Sequence, residues 1–215
     1  MGRTTEYVAG LLGLPTEGDR PYLYHNNGDG SFREVGAELG LSRPTFSMGS
    51  NYGDLDNDGW LDFYLATGDP QFESLIPNRM YRNDGGRHFQ EVTASGGFGH
   101  LQKGHGVAFG DIDGDGDQDV LANQGGAYAG DGYYKALFLN PGHDNHWVTL
   151  QLEGTKANRA AIGARLKLLL ATPEGPRTLY ATVGSGSSFG GNSLRQEIGL
   201  AASGCHPAAA PDFVR

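Results

Sequence analysis

A single cysteine, Cys205, in 215 residues rules out an intrachain disulfide, and without a C-x-x-C pair there is no paired thiolate metal site. No apolar run approaches the roughly 18 residues that cross a bilayer. The opening "MGRTTEYVAGLLGLP" has an apolar patch, but it carries Glu6 and reads as too short and glycine-broken for a signal-peptide core. No N-x-[ST] acceptor occurs. Basic residues are few, 16 against 25 acids for a net charge of −9, which argues against the basic face a nucleic-acid partner needs. Long Ala/Leu/Glu/Lys stretches with helical spacing are missing as well.

What is present is glycine, 36 residues, with ten tyrosines and ten phenylalanines. That combination favours many short strands joined by tight turns, an all-β chain. The strands repeat. "YHNNGDGSFREV" at 24–35 aligns with "YRNDGGRHFQEV" at 81–92, and "FLNPG" at 138–142 begins a third copy, each 57 residues after the last. The unit reads as strand, Asn-Gly turn, strand, connection, glycine-rich strand, aspartate loop, strand. Four strands per 57 residues is the arithmetic of a propeller blade or a similar stacked β unit. From 146 the texture changes. "HWVTLQLEG" alternates as a strand, "ARLKLLLATPEGPRTLYATV" reads as a hairpin turned at Pro173-Glu174-Gly175, and "GSGSSFGGN" reads as a loop. The expected organisation is an N-terminal segment 1–21, repeats over 22–145, a β-rich domain over 146–203 and an unpatterned tail 204–215.

The acidic excess has an address. "GDLDNDGWLDFYLATG" and "GDIDGDGDQDVLANQG" hold nine aspartates; without them 16 acids face 16 bases. Such clusters repel themselves, so a bound cation is the natural compensation. In a D-x-D-x-D-G-x-x-D loop, carboxylates at positions 1, 3 and 5 turn inward. Glycine at 6 makes the bend, position 7 offers its carbonyl, and position 9 closes the sphere. The candidates are Asp54, Asp56, Asp58, the carbonyl of Trp60, and Asp62. In the second loop they are Asp111, Asp113, Asp115, the carbonyl of Asp117, and Asp119. The Asp117 side chain either adds charge to that site or faces water, with water favoured.

All-oxygen donors fit calcium. An EF-hand is excluded because position 12 is Leu65 or Ala122 and the flanks read as strands. Magnesium prefers to keep its waters, and zinc would want His or Cys. Two Ca2+ ions would bring the formal charge to −5.

These loops, with "GVAFGDIDGDGDQDVLANQGG", resemble FG-GAP/VCBS repeats, the calcium-loop blades of β-propellers. Residues 145–200, with "NRAAIGAR" at 158–165 and "GSGSS" at 184–188, resemble the ASPIC/UnbV domain. The order of the two is that of the cartilage acidic protein family and its bacterial relatives. The resemblance implies a partial propeller followed by a β-rich ASPIC/UnbV domain. It also implies an extracellular or periplasmic, calcium-binding, non-enzymatic role toward a protein or glycan partner. Two blades and the start of a third leave sheet edges for missing blades or a partner chain to cover.

The alternative reading is an enzyme or accessory factor of a biosynthetic pathway, with the repeat scaffold forming a pocket. "GSSFG" matches G-x-S-x-G around Ser188, but only His206 follows and no helix pattern does. His88, His100 and His105 match no ligand spacing. Arg159 and Arg165 suit either an anion site or local ion pairs. Trp60 and Trp147 read as packing residues, Trp60 with an exposed edge.

Overall fold

The computed structural model describes residues 2–201 except 19, 68–70, 72, 73, 127, 157, 173, 174 and 187. The tail, with Cys205 and His206, and the Pro173-Glu174 turn lie outside the described residues.

Strands dominate, as the glycine and aromatic content requires. The repeat units appear as hairpins: β1 (Tyr24–Asn26) with β2 (Phe32–Glu34), and β3 (Ser47–Gly53) with β4 (Asp62–Thr67). In the second unit, β5 (Arg79–Asn83) precedes β6 (Phe89–Glu91), and β7 (Gly104–Gly110) precedes β8 (Asp119–Gln124). β9 (Ala136–Phe138) starts the third.

Hydrogen bonding runs across the repeat boundary. The sheets are β3-β4-β5-β6 and β7-β8-β9, so each aspartate hairpin pairs with the first strand of the following unit. The register copies itself: Phe63 faces Tyr81 as Val120 faces Phe138. Only the first sheet has all four strands, and among the described residues the sheets do not close into a ring. β1-β2 stays a separate pair.

"DFYLAT" can be apolar without alternation because both faces of β4 are covered. Tyr64 and Ala66 join Met80, Val107, Phe109, Val120 and Ala122 between the two sheets. Leu65 faces the other way, with Leu41, Tyr81 and Phe89. The glycine-rich strands meet closely enough for Asn51 Nδ2 to donate to Val107 O at 2.9 Å.

The N-terminal segment departs from the all-β expectation: Arg3–Leu11 is a helix, α1. Tertiary contacts hold it. The Tyr7 ring lies 4.7 Å from the buried Arg79 guanidinium, and Arg3 sits over Phe46 at 5.3 Å. Glu6, buried, accepts from Glu17 N at 2.7 Å.

Beyond residue 145, β10 (His146–Leu150) pairs with β13 (Gln196–Ala201), and β11 (Arg165–Thr172) with β12 (Gly175–Thr182). This second module lies against the aspartate loops.

Candidate metal centre

Both loops leave a glycine-rich strand and turn back into an apolar one, and the glycine at position 6 makes each bend. Gly59 has φ 79° and Gly116 φ 95°, values that side-chain-bearing residues rarely adopt. Position 4 is also left-handed, as Asn57 (φ 54°) in one loop and Gly114 (φ 84°) in the other. Asn tolerates that region better than most residues.

In the first loop, carboxylate oxygens of Asp54, Asp56 and Asp62 lie within 4.8 Å of one another, all three residues buried. Asp58 stands outside this group, its Oδ1 accepting from Trp60 N at 2.7 Å. Asp54 is held by backbone donors, Asp58 N at 3.0 Å and Gly59 N at 2.8 Å. Asp56 Oδ2 accepts from Arg82 Nε at 2.6 Å, while its Oδ1 is buried with no hydrogen-bond partner.

In the second loop the converging oxygens belong to Asp111, Asp113 and Asp115, the last two exposed. Asp119 is not in that group, although its charge acts on Asp113. The acids at position 9 share one arrangement: Asp62 accepts from Leu55 N and Asn83 N, and Asp119 from Ile112 N and Asn140 N, at 2.7–2.9 Å. Each ninth acid thus ties its loop to the start of the next unit, at Asn83 in β5 and at Asn140 just past β9.

Asp117 does not face water. It is buried, and Asn57 Nδ2 donates to its Oδ1 at 2.7 Å and to Gly116 O at 3.1 Å. Gln118 Oε1 accepts from Asp54 N at 2.7 Å, and Asn140 Nδ2 donates to Leu55 O at 2.7 Å. The two loops are therefore stitched side by side. Asn57 belongs to the pattern only as an "N" inside D-x-D-N-D, so the sequence offered no sign of this bridge beyond its polar type.

Burial pushes the Asp54 carboxyl up to about 8, reinforced by the charges of Asp58 and Asp62. Asp62 rises to about 7, again from burial, although Asn83 N and Leu55 N stabilise its charge. Asp58 goes up through burial against the pull of the Trp60 N–H. Asp113 and Asp117 also rise, from local desolvation first and then the charge of Asp115. Carboxylates gathered this way are unfavourable unless protons or a cation neutralise them.

The donors fit a hard divalent cation. They are oxygen only, they converge, and one buried carboxylate oxygen has no other partner. Asp54, Asp56 and Asp62 would hold an ion in the first loop, and Asp111, Asp113 and Asp115 in the second. The ion would supply positive charge and fix the bend.

Trp60 is partly exposed, with Arg177 4.2 Å above its ring. Trp147 lies against Gly116, where a Cβ would come 1.8 Å from its Cε2. The three histidines keep separate contacts: His100 Nδ1 accepts from Gln102 N, His105 Nδ1 lies against Met48 Sδ, and His88 packs on Gly40. Arg159 pairs with Glu153 at 2.9 Å on the surface. Ser188 sits in a loop, its N–H donating to Ser50 O at 3.2 Å. Between the first loop and the second module runs a cleft of about 320 Å³, lined in part by Tyr52, Asp54, Arg165 and Tyr180.

The FG-GAP-like repeat family matches the chain over residues 6–65 and again over 54–122. Both matches take in the first aspartate loop, and the second also takes in the other. No curated protein matches the chain. Over more than half its length, from α1 to β8, the chain belongs to the FG-GAP-like repeat family.

Proposed function

We propose that the chain is a calcium-stabilised β-repeat module for extracellular or periplasmic interaction, binding a protein or glycan partner without catalysing a reaction. Repeats of this family are generally extracellular interaction modules, and no described helix is long and apolar enough to cross a membrane. The observation that carries the calcium reading is the buried Asp54–Asp56–Asp62 group with Asp56 Oδ1 unpartnered. Arg82 offsets one of its three charges; a divalent ion offsets the rest. In this reading the second module is of the ASPIC/UnbV type, and calcium holds the loops that support it.

Calorimetric titration of the metal-free protein tests this. Two calcium ions should bind, with magnesium a weak competitor, and chelator should lower the melting temperature. No heat of binding and no thermal shift would overturn it.

The pocket reading draws support from the cleft, but its polar side chains are mostly engaged internally. Asn192 accepts from Phe109 N, and Glu197 accepts from Arg195, Gln118 and Asp111 N. The cleft also shares Asp54 with the first loop, which favours the interaction-module reading.

A further inference from the structure

The second module touches the two loops differently. At the first loop four successive carbonyls are taken, three by the module and one by the residue just before it: Asn145 Nδ2 donates to Asp56 O (2.7 Å) and Ala201 N to Asn57 O (2.8 Å). Arg177 spans the other two, Nη1 to Asp58 O at 2.8 Å and Nη2 to Gly59 O at 2.5 Å. It also reaches a carboxylate. Gly199 N donates to Asp54 Oδ2 at 3.2 Å, the third backbone donor on that side chain. The approach leaves no room for a side chain, because a Cβ on residue 199 would lie 2.3 Å from Asp54 Oδ2 and from the Asn57 carbonyl carbon.

At the second loop the module meets mainly the backbone of Asp111, through Glu197 and Arg195, and Gly116 through Trp147. Arg195 stands 3.9 Å from Asp111 Oδ2. Asp113 and Asp115 remain exposed.

We propose that the second module completes the first loop's cation site. Gly199 and Arg177 are positioning residues that hold Asp54 and the 56–59 backbone in the ligating arrangement. Cation affinity at 54–62 therefore depends on Gly199 and Arg177, and affinity at 111–119, which neither residue touches, does not. This rests on the calcium reading above. The groups do not touch the ion; they fix what does, as hydrogen-bond partners of metal ligands generally do. Coupling is reciprocal, so an ion in the first loop strengthens docking by the same factor.

The test is calcium calorimetry on the full chain. The first loop is isolated by Asp113→Asn with Asp115→Asn, and the second by Asp56→Asn. Gly199→Ala should weaken the first loop about tenfold, the usual scale for losing a ligand's hydrogen-bond partner, and leave the second within about twofold. Arg177→Lys keeps the charge but loses the two-carbonyl fork. It should weaken the first loop by a smaller factor, and it serves if Gly199→Ala fails to fold. Equal weakening of both loops overturns the proposal. So does a lower melting temperature with first-loop affinity unchanged, the result of a purely structural role. If the unaltered chain binds no calcium at either loop, the calcium reading itself has failed, and that titration tells the two failures apart.

Discussion

Asp54, Asp56 and Asp62 are each at most 5% exposed, whereas Asp113 and Asp115 face solvent, although the two loops follow one nine-residue template. The backbone treats them alike: both bends use left-handed residues at positions 4 and 6, and both ninth acids accept two backbone N–H groups. What differs is cover. The first loop lies under the second module and has Arg82 and Arg177 beside it; Leu139 occupies the position 57 residues after Arg82. Charges about 4 Å apart interact by about 1 kcal/mol in water but about 4 kcal/mol near a protein surface of lower dielectric. A buried copy of the template therefore depends more on its counter-charge than an exposed one.

The largest effect should fall where the loops are the same. In the metal-free protein, Asp62→Ala and Asp119→Ala each strand two backbone N–H groups and should each cost about 4 kcal/mol in urea unfolding. A large gap between them would break the equivalence of the two ninth positions.

Chelation should come next. A site held at a hundredfold above its Kd contributes about 2.7 kcal/mol, which for a chain of this size is a fall of about 5–10 °C in melting temperature. Asp56→Asn should remove more of that shift than Asp113→Asn, and the reverse order would contradict the burial argument.

Asn57→Ala should cost about 2 kcal/mol, because it orphans Asp117 and strains a left-handed residue. Asn57→Gly should recover part of that by relieving the strain alone. Equal losses in denaturant melts would place the whole effect in the bridge between the loops.

The pH slope checks the same burial argument without a mutation. Without calcium, Asp54 and Asp62 have folded-state values of about 8 and about 7, above the ordinary carboxylate range near 4. The folded state then holds more protons than the unfolded one. The contribution of these two acids to stability should be greatest below about pH 4 and decline as pH rises toward 8. Calcium should flatten or invert that slope, and thermal melts across pH 5–8 with and without chelator measure it.

Much of this was legible in the chain. Strand pairs on either side of each loop follow from turn residues and aromatic runs, and the bend glycines stand where the template puts them. The turn at 81–92 repeats that at 24–35 because Asn and Gly accept positive φ wherever they occur. Three things were not legible. α1 carries Gly10 and a glycine-broken apolar stretch, and its helix is held by Arg79 and Phe46, far away in sequence. The blade's phase relative to the repeat depends on which edge of β4 finds β5, a matter of pairing rather than composition. Asp117 looked like a solvent-facing extra charge because nothing local places Asn57 beside it.

By itself, the sequence determined the strands, their 57-residue spacing, the bends and the gathering of acids into two loops, since these depend on residue conformational preference and short-range charge. Only the tertiary structure decided which loop is buried, which acids converge and which serve as backbone acceptors. Those outcomes depend on what packs above each loop, and burial changes the energy of a carboxylate far more than its neighbours in the chain can.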